Sequence, residues 1–236
     1  GSTLNAHYTS SLVIQSIYDT LSRMGVQPGT VLEPAMGVGN FFGLLPQSMG
    51  SAQLYGVELD SITGRIAKQL YPKANITVSG FEHINLPDNS IDLAVGNVPF
   101  GNYRLSDPRY KQYGFLIHDY FFAKTLDKVR TGGIVAFITS KGTMDKQDTA
   151  VREYLAQRAD LLGAVRLPSS AFSKTANTEV TTDILFLQKR DTPPEYLPDW
   201  VQLGKTADGI PVNRYYEQHP EMVLGTMVWD KSMYGN

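Results

Sequence analysis

The chain contains no cysteine, carries no excess of positive charge and has no long apolar run. The absence of cysteine excludes disulfide bonds and thiolate metal ligands, and it is compatible with a reducing, cytoplasmic environment. With 21 basic and 23 acidic side chains the formal net charge is −2, so any contact with nucleic acid must be local or supplied by another part. No apolar stretch approaches the roughly 20 residues that span a bilayer, so no membrane partner is expected.

The two ends of the chain give little sign of a natural terminus. Gly1-Ser2, without Met, resembles the scar of a cleaved tag, and residues 1–5 are interpreted as that scar with a short tail. Beyond residue 190 prolines interrupt every periodic pattern, so residues 191–236 are expected to form a Pro-rich linker or an appendage to a missing downstream domain. The sequence therefore predicts one folded domain over residues 6–190 of a larger polypeptide.

Within that domain, strand-like runs alternate with segments of helical periodicity. Helices are predicted over residues 10–24, 61–70, 117–129 and 148–157. Strands are predicted over residues 30–33, 52–58, 76–78, 91–95, 133–139, 161–166 and 182–187. This alternation predicts a doubly wound α/β fold, in which a seven-stranded, mostly parallel sheet carries helices on both faces.

A glycine-containing turn follows the first strand. Gly37 and Gly39 would let the backbone approach a ligand closely, and Glu33 ends the strand where it can reach an ammonium or hydroxyl group. The Gly-x-Gly-x-x-Gly pattern of a diphosphate site is incomplete, because Phe42 stands at its third position. Glu58, at the end of the second strand, suits capture of a ribose diol, so an adenosine without phosphate fits both features. The alternative is a tight turn beside solvated charges at a helix start.

The tetrapeptide Asn97-Val98-Pro99-Phe100 directly follows the strand-like run 91–95, at the edge of the sheet where α/β folds bind ligands. The Asn97 oxygen and a main-chain carbonyl can accept the N–H groups of a flat ring whose face Phe100 covers. These residues favour a grip for a nucleobase or a similar planar amide. Asn-x-Pro is also a common turn after a strand, so the motifs upstream decide its interpretation.

A series of short motifs follows a fixed order along residues 6–190. They are Tyr8-Thr9, Glu33-Pro34-x-x-Gly37-x-Gly39-x-Phe41, Gly56-Val57-Glu58, Asn97-x-Pro99-Phe100, and Phe172 with Thr182-Asp183-Ile184-Leu185. In this order they resemble the S-adenosylmethionine-dependent N6-adenine DNA methyltransferases of the gamma arrangement. The resemblance implies a Rossmann-like methyltransferase domain over residues 6–190, S-adenosyl-L-methionine as cofactor, DNA as partner and a bacterial or phage origin.

The same resemblance assigns residues to the cofactor. Those implied to bind it are Tyr8, Thr9, Glu33, Pro34, Ala35, Gly37, Gly39, Phe41, Glu58, Leu59, Phe81 and Asn97. Tyr8 and Thr9 would close over its methionine end, and Glu58 would bind its ribose. Without a ligand these two N-terminal residues would only precede a helix, with Thr9 or Ser10 as its cap.

Phe81 corresponds to the aromatic residue that packs on the cofactor adenine. Many relatives carry an Asp just before this residue to accept a hydrogen bond from the adenine amino group, whereas this chain has Gly80. Glu82 follows at the next position, but in an extended segment its side chain would point away from that of Phe81. Phe81 could then be an ordinary core residue.

The resemblance implies that Asn97, Val98, Pro99 and Phe100 form the catalytic motif. An exocyclic adenine amine is a poor nucleophile because its lone pair is delocalised into the ring. If the Asn97 side-chain oxygen and the Val98 carbonyl accept its two N–H bonds, the nitrogen is held closer to tetrahedral. Because the cofactor carries its own leaving group, no metal is required. Val98 stands where the family usually has Pro, which keeps the carbonyl but presents it less rigidly.

Three aromatic residues are implied to bind the substrate. Phe100 would stack on an adenine flipped from the duplex, and Phe172 could cover its other face. Tyr103 belongs to loop 101–113, where tyrosines alternate with basic residues in a mixture that suits phosphate contacts and base stacking. The basic residues of this loop are Arg104, Arg109 and Lys111.

Residues 213–225 resemble the connector in large methylase-helicase polypeptides of phages and conjugative elements. This second resemblance implies that DNA recognition is supplied by a recognition or helicase domain elsewhere. Two other functions stay open. Protein-glutamine and ribosomal-RNA guanine methyltransferases also use an Asn-x-Pro-aromatic turn, and a non-catalytic cofactor-binding module of a helicase-like machine is compatible with Gly80 and Val98.

Overall fold

A computed structural model describes residues 9–168 and 181–225 of the chain. The strands of its large sheet are β1 (Thr30–Glu33), β2 (Gln53–Glu58), β3 (Asn75–Val78), β4 (Ile91–Asn97), β5 (Val129–Ser140), β6 (Ala159–Leu167) and β7 (Thr182–Lys189). They are ordered β3-β2-β1-β4-β5-β7-β6, and only β7 runs antiparallel to its neighbours. The predicted seven-stranded, mostly parallel sheet is confirmed.

Helices cover both faces of this sheet. They are α1 (Ser11–Arg23), α2 (Asn40–Gly43), α3 (Ser61–Leu70), α4 (Ile117–Lys128), α5 (Gly142–Asp145), α6 (Ala150–Arg158) and α7 (Arg214–Gln218). Strand β5 separates two apolar cores, since Val135 and Phe137 pack with α4 on one face while Ala136 and Ile138 pack with α1 on the other. Among the described residues, no helix combines the length and the hydropathy needed to cross a membrane.

The strand order reverses between β1 and β4. From β1 the chain moves outward through β2 and β3, then returns to the other side of β1 to form β4. Glu33 is the last residue of β1 and Asn97 the last of β4, so these two residues emerge from adjacent parallel strands at the same edge. Open α/β sheets bind their ligands in the crevice at such a reversal.

The described part of the Pro-rich segment, residues 191–225, is folded against the sheet. It forms the hairpin strands β8 (Leu203–Lys205) and β9 (Pro211–Asn213), followed by α7. The side chains that it buries in the α4 core are Trp200, Val201, Val212 and Tyr216. Pro211 opens β9 and Pro220 begins a 3-10 turn, positions at which a missing N–H is tolerated. The described residues of this segment thus pack against the preceding domain.

A buried charged cluster, here called the Arg166 cluster, fastens this appendage to the domain. Arg166 donates to the two carboxylate oxygens of Asp183, both at 2.9 Å, and to Asp145 at 2.7 Å. Asp145 also accepts the backbone N–H of Asn213 at 2.9 Å, and the Arg166 guanidinium lies 4.6 Å from the ring centroid of Tyr216. All five residues are buried, so the Arg166 guanidinium faces two carboxylates inside the protein.

Candidate active site

A cavity of about 290 Å³ opens at the carboxyl ends of β1 and β4. The residues predicted to bind a cofactor that line it are Thr9, Glu33, Pro34, Ala35, Gly37, Phe41, Glu58, Leu59, Phe81 and Asn97. Val98, Pro99 and Tyr103 also line it. Among the described residues of the prediction, Gly39 and Phe100 are not part of its wall, and Tyr8 and Phe172 lie outside the described residues.

Glu33 contributes a buried carboxyl group to the wall of this cavity. Its side chain is only 2% exposed, and Oε1 has no hydrogen-bond partner among the residues that the structure describes. Burial raises the pKa of Glu33 well above its usual range, and the negative charge of Glu58 raises it further. A buried acid of this kind is stabilised in its charged form by a cation, so this end of the cavity suits a positively charged ligand group.

The two glycines of the first turn have different surroundings. Both adopt left-handed φ angles, 55° at Gly37 and 90° at Gly39. A Cβ added to Gly37 would meet nothing within 4 Å, whereas one added to Gly39 would lie 3.1 Å from Cδ2 of Tyr71 and 3.2 Å from Cε of Met36. Gly37 therefore keeps the cavity open, while Gly39 is required by the packing of the turn.

Glu58 and Leu59 line the cavity at the end of β2. Burial raises the pKa of the Glu58 carboxyl, while hydrogen bonds from the backbone N–H groups of Asp60, Gly37 and Leu59 act in the opposite direction. Glu58 thus has partners that hold a carboxylate in place at the turn. Leu59 is 67% exposed, which leaves an apolar surface beside this acid.

Glu82 lies against Gly80 instead of pointing away from Phe81. Residues Phe81–His83 form a single 3-10 turn, so the alternation of an extended segment does not apply. A Cβ added to Gly80 would come within 2.6 Å of Glu82 Cδ, which places the Glu82 carboxylate where a side chain at position 80 would lie. Glu82 lines the cavity together with Phe81. The expected orientation of Glu82 is therefore wrong, and the cavity has a carboxylate beside its aromatic wall.

Asn97 and Val98 are held by contacts outside their own motif. The Asn97 Nδ2 donates to Thr9 Oγ1 at 3.0 Å. The backbone N–H of Val98 donates to the carbonyl of Ile138 on β5 at 3.0 Å, and the Val98 side chain is buried. Proline, which has no N–H, could not make this bond. The hydrogen bond to β5 thus constrains the Val98 backbone, which the pyrrolidine ring would constrain if this residue were proline.

The loop after the motif packs along α4. Tyr110 is buried and donates to Asp127, and Tyr120 of α4 donates to Asp107. Arg109 makes two hydrogen bonds to Asp88, at 3.1 and 2.9 Å, and these bonds, together with one from Lys128, lower the pKa of Asp88 to about 2. Arg109, expected among the basic residues for phosphate contacts, is instead engaged in fixing the loop.

Tyr103 and Leu105 are the described residues of this loop that line the cavity. The Tyr103 side chain is 44% exposed, and the Tyr103 carbonyl accepts the Ile117 N–H at 2.9 Å. Burial raises the pKa of the Tyr103 hydroxyl, and the negative charge of Glu82 adds to this effect. Tyr103 therefore stays neutral at physiological pH and presents an aromatic face at the mouth of the site.

The sequence as a whole matches one family model. Residues 1–199 of the 236 match the model described as N-6 DNA Methylase. The chain belongs to this methylase family. The resemblance recognised in the order of the motifs is therefore confirmed.

Two curated relatives of this methylase chain come from a phage and a bacterium. The chain is 30% identical over 195 residues to Defense against restriction protein B of Escherichia phage P1, a match that covers 80% of this chain and 8% of that protein. It is 27% identical over 200 residues to Type II methyltransferase M.XamI of Xanthomonas campestris pv. amaranthicola, which covers 73% of this chain and 37% of that protein. The methylase chain thus spans a minor part of each relative's length.

A solved structure is similar to the methylase fold described above. It is the modification subunit assigned to a type I restriction enzyme from Vibrio vulnificus YJ016, with a TM-score of 0.64 at 19% sequence identity. The match covers 92% of this chain and 52% of that one. At this identity the similarity shows the fold alone.

Some wall residues of the methylase cavity were missed from the sequence. Ile117 and Phe121 line it one helical turn apart at the start of α4. The Phe121 ring lies 4.9 Å from the Phe81 ring, centroid to centroid, which fixes the aromatic wall from behind. The i, i+4 spacing of two apolar residues directly after the motif loop was the available signal.

Proposed function

We propose that this chain is an S-adenosyl-L-methionine-dependent methyltransferase domain that methylates the exocyclic N6 of adenine in DNA. The observation that carries the proposal is that the Asn97–Val98 acceptor pair shares one cavity with Glu33 and Glu58. Methyl transfer requires donor and acceptor atoms to meet at about 3–3.5 Å, and a common cavity permits this. Membership of the N-6 DNA methylase family supports the assignment.

The residues present fit S-adenosyl-L-methionine. The Glu33 carboxyl, whose Oε1 has no hydrogen-bond partner within the described part of the chain, would face the cationic methionine end, and Glu58 would accept hydrogen bonds from the ribose hydroxyls. Leu59 and Phe81 would enclose the adenine. A diphosphate fits poorly, because Phe42 is buried at the third fingerprint position and α2 is a single turn. When bound, the cofactor supplies a methyl group on a sulfonium leaving group.

Asn97 and Val98 would prepare the substrate amine for attack. The Asn97 Oδ1 and the Val98 carbonyl accept its two N–H groups, which withdraws the nitrogen lone pair from the ring and directs it along the remaining tetrahedral position. The bond from the Val98 N–H to Ile138 keeps that carbonyl in place without a proline ring. These residues orient the amine and stabilise the positive charge that develops on it.

In this proposal the substrate adenine is turned out of the duplex, because a stacked base cannot reach a cavity at a strand end. Tyr103 at the cavity wall offers an aromatic face for it, and Phe100 follows the acceptor pair directly. Sequence selection would come from a recognition or helicase domain outside this region. The net charge of −2 and the ion pair between Arg109 and Asp88 support a separate DNA-recognition domain, because both limit the positive charge that this region offers to DNA.

The proposal is tested by methyl transfer from labelled cofactor to DNA, RNA and release-factor protein. Labelled N6-methyladenine in DNA is the expected product. Label in RNA guanine or in a protein glutamine would replace the DNA assignment by one of the other methyltransferase classes. If the cofactor binds but the full-length protein labels none of the three substrates, the non-catalytic module becomes the correct interpretation.

Replacing Glu58 is expected to weaken cofactor binding. Glu58→Ala should raise the Kd of S-adenosyl-L-methionine by about 10- to 100-fold, because two ribose hydroxyls lose a charged acceptor. Isothermal titration calorimetry measures this directly, with the exposed Glu195→Ala as a control. An affinity equal to that of the unaltered protein would contradict the ribose role of Glu58.

Cofactor affinity is expected to rise with pH through the titration of Glu33. The free site holds a Glu33 whose pKa is raised by burial, so it binds a proton that a cationic ligand displaces. Binding therefore releases protons, and affinity increases as the pH rises through the pKa of the free site. Calorimetry in buffers of different ionisation enthalpy should show this release, and Glu33→Gln should remove it. Equal release by both proteins would assign the proton to another group.

A further inference from the structure

The Asn97 amide is hydrogen-bonded to a residue that lies far away in the sequence. A carboxamide is planar, with an acceptor oxygen on one edge and a donor nitrogen on the other. Only the oxygen can accept an N–H from a substrate amine, so the amide must keep one of its two orientations. In the structure Nδ2 donates to the Thr9 hydroxyl at 3.0 Å, which leaves Oδ1 on the opposite edge.

Thr9 is itself held at a fixed position. Its side chain is only 6% exposed, and it directly precedes the cap of α1. Ser10 accepts the backbone N–H of Val13 through its side chain and that of Ile14 through its carbonyl. Val13 and Ile14 are buried in the core beneath the sheet. Thr9 therefore forms part of a rigid helix start rather than a free chain end.

We propose that Thr9 is a positioning residue, which holds the Asn97 amide with Nδ2 towards α1 and Oδ1 towards the substrate amine. The inference rests on the proposed function. The motif implies that Thr9 contacts the cofactor, and the inference adds that Thr9 also orients the Asn97 side chain. Without the Thr9 hydroxyl the Nδ2 group loses its acceptor, so the amide is held less firmly with Oδ1 towards the substrate amine.

The test compares Thr9→Val with Thr9→Ser in methyl transfer. Thr9→Val is expected to lower kcat, measured at saturating cofactor, by about five- to tenfold, the effect of one lost hydrogen bond, while KM for DNA stays within about twofold. Thr9→Ser, which keeps a hydroxyl, should restore most of the rate. Thr20→Val is a matched control on α1, because among the described residues that hydroxyl donates to the Ser16 carbonyl of its own helix. A weakened cofactor with an unchanged kcat would overturn the proposal and make Thr9 a cofactor residue.

A second readout does not depend on activity. In protein labelled with 15N-asparagine, the side-chain NH₂ signals of Asn97 can be assigned by their loss in Asn97→Ala. These protons are expected to exchange with water faster in Thr9→Val than in the unaltered protein or in Thr9→Ser. Equal exchange in all three proteins would overturn the proposed orientation. Absence of methyl transfer by the unaltered protein would count against the proposed function alone, since the exchange comparison would still decide the role of Thr9.

Discussion

Asn97→Ala is expected to lower the rate of methyl transfer by about a hundredfold or more while changing cofactor affinity only a few-fold. The substitution removes one of the two acceptors proposed to act on the substrate amine, and a single preorganised polar group aimed at a reacting centre contributes about 10²–10³ in kcat. Asn97 also lines the cavity in which the cofactor is proposed to bind, so its replacement should change cofactor affinity slightly. Single-turnover kinetics with labelled cofactor separate the rate from the affinity.

Asn102→Ala is the matched control for this experiment. Asn102 is exposed in the loop after the motif and is not part of the cavity wall. Its replacement should leave the rate unchanged. An Asn97→Ala protein as active as the unaltered one would remove Asn97 from the mechanism, whereas a joint loss of cofactor binding and activity would make it a cofactor residue instead.

The fold and the position of the site follow from local sequence patterns. Strand and helix periodicities predict parallel strands, and parallel strands align their carboxyl ends at one edge of the sheet. Glu33 and Asn97 are 64 positions apart, yet each ends a strand, so their meeting at the β1–β4 edge was predictable. For two residues at the ends of parallel strands to share one edge of the sheet, only the strand direction is needed. The alternation of strands and helices in the sequence predicts that direction.

Side-chain directions and long-range partners were not predictable in this way. The position of Glu82 depends on a 3-10 turn that the letters Gly-Phe-Glu-His do not distinguish from an extended segment. Arg109 looked available for phosphate because Asp88, its partner, lies 21 positions away across the fold. The restraint on Val98 comes from Ile138 on the neighbouring strand, so a comparison of motifs alone registers only the absence of proline.

The Pro-rich segment shows the same limit for domain boundaries. Its anchoring residue, Asn213, donates through its backbone to Asp145, 68 positions earlier, and through Nδ2 to the Met144 and Trp200 carbonyls. A local sequence pattern does not predict such bonds. Pro211 and Pro220 each begin a short element, but prolines in a sequence normally indicate a break in secondary structure. The described residues 191–225 therefore pack against the sheet through long-range polar contacts together with the buried side chains of Trp200, Val201, Val212 and Tyr216.

Arg166→Met is expected to destabilise the protein by about 3–5 kcal/mol, because it leaves two carboxylates buried without their cation. Asp183 and Asp145 are 0% and 2% exposed, and Asp183 already has a pKa raised by burial against the opposing effect of Arg166. Without Arg166 the folded state should bind a proton there, so the loss of stability should shrink as the pH falls. Urea unfolding at neutral and at mildly acidic pH measures both effects.

Arg130→Met is the control for this prediction, since it removes an arginine of equal charge from an exposed pair. Arg130 donates to Asp92 at 2.7 Å with 51% of its side chain exposed, and such surface pairs contribute about 0–1 kcal/mol. A loss of similar size in both variants would show that Arg166 acts only through net charge. If the Arg166 cluster fastens the appendage to the methylase fold, only Arg166→Met should lose several kcal/mol of unfolding free energy. Proteolysis after residue 190 should also become faster in that variant.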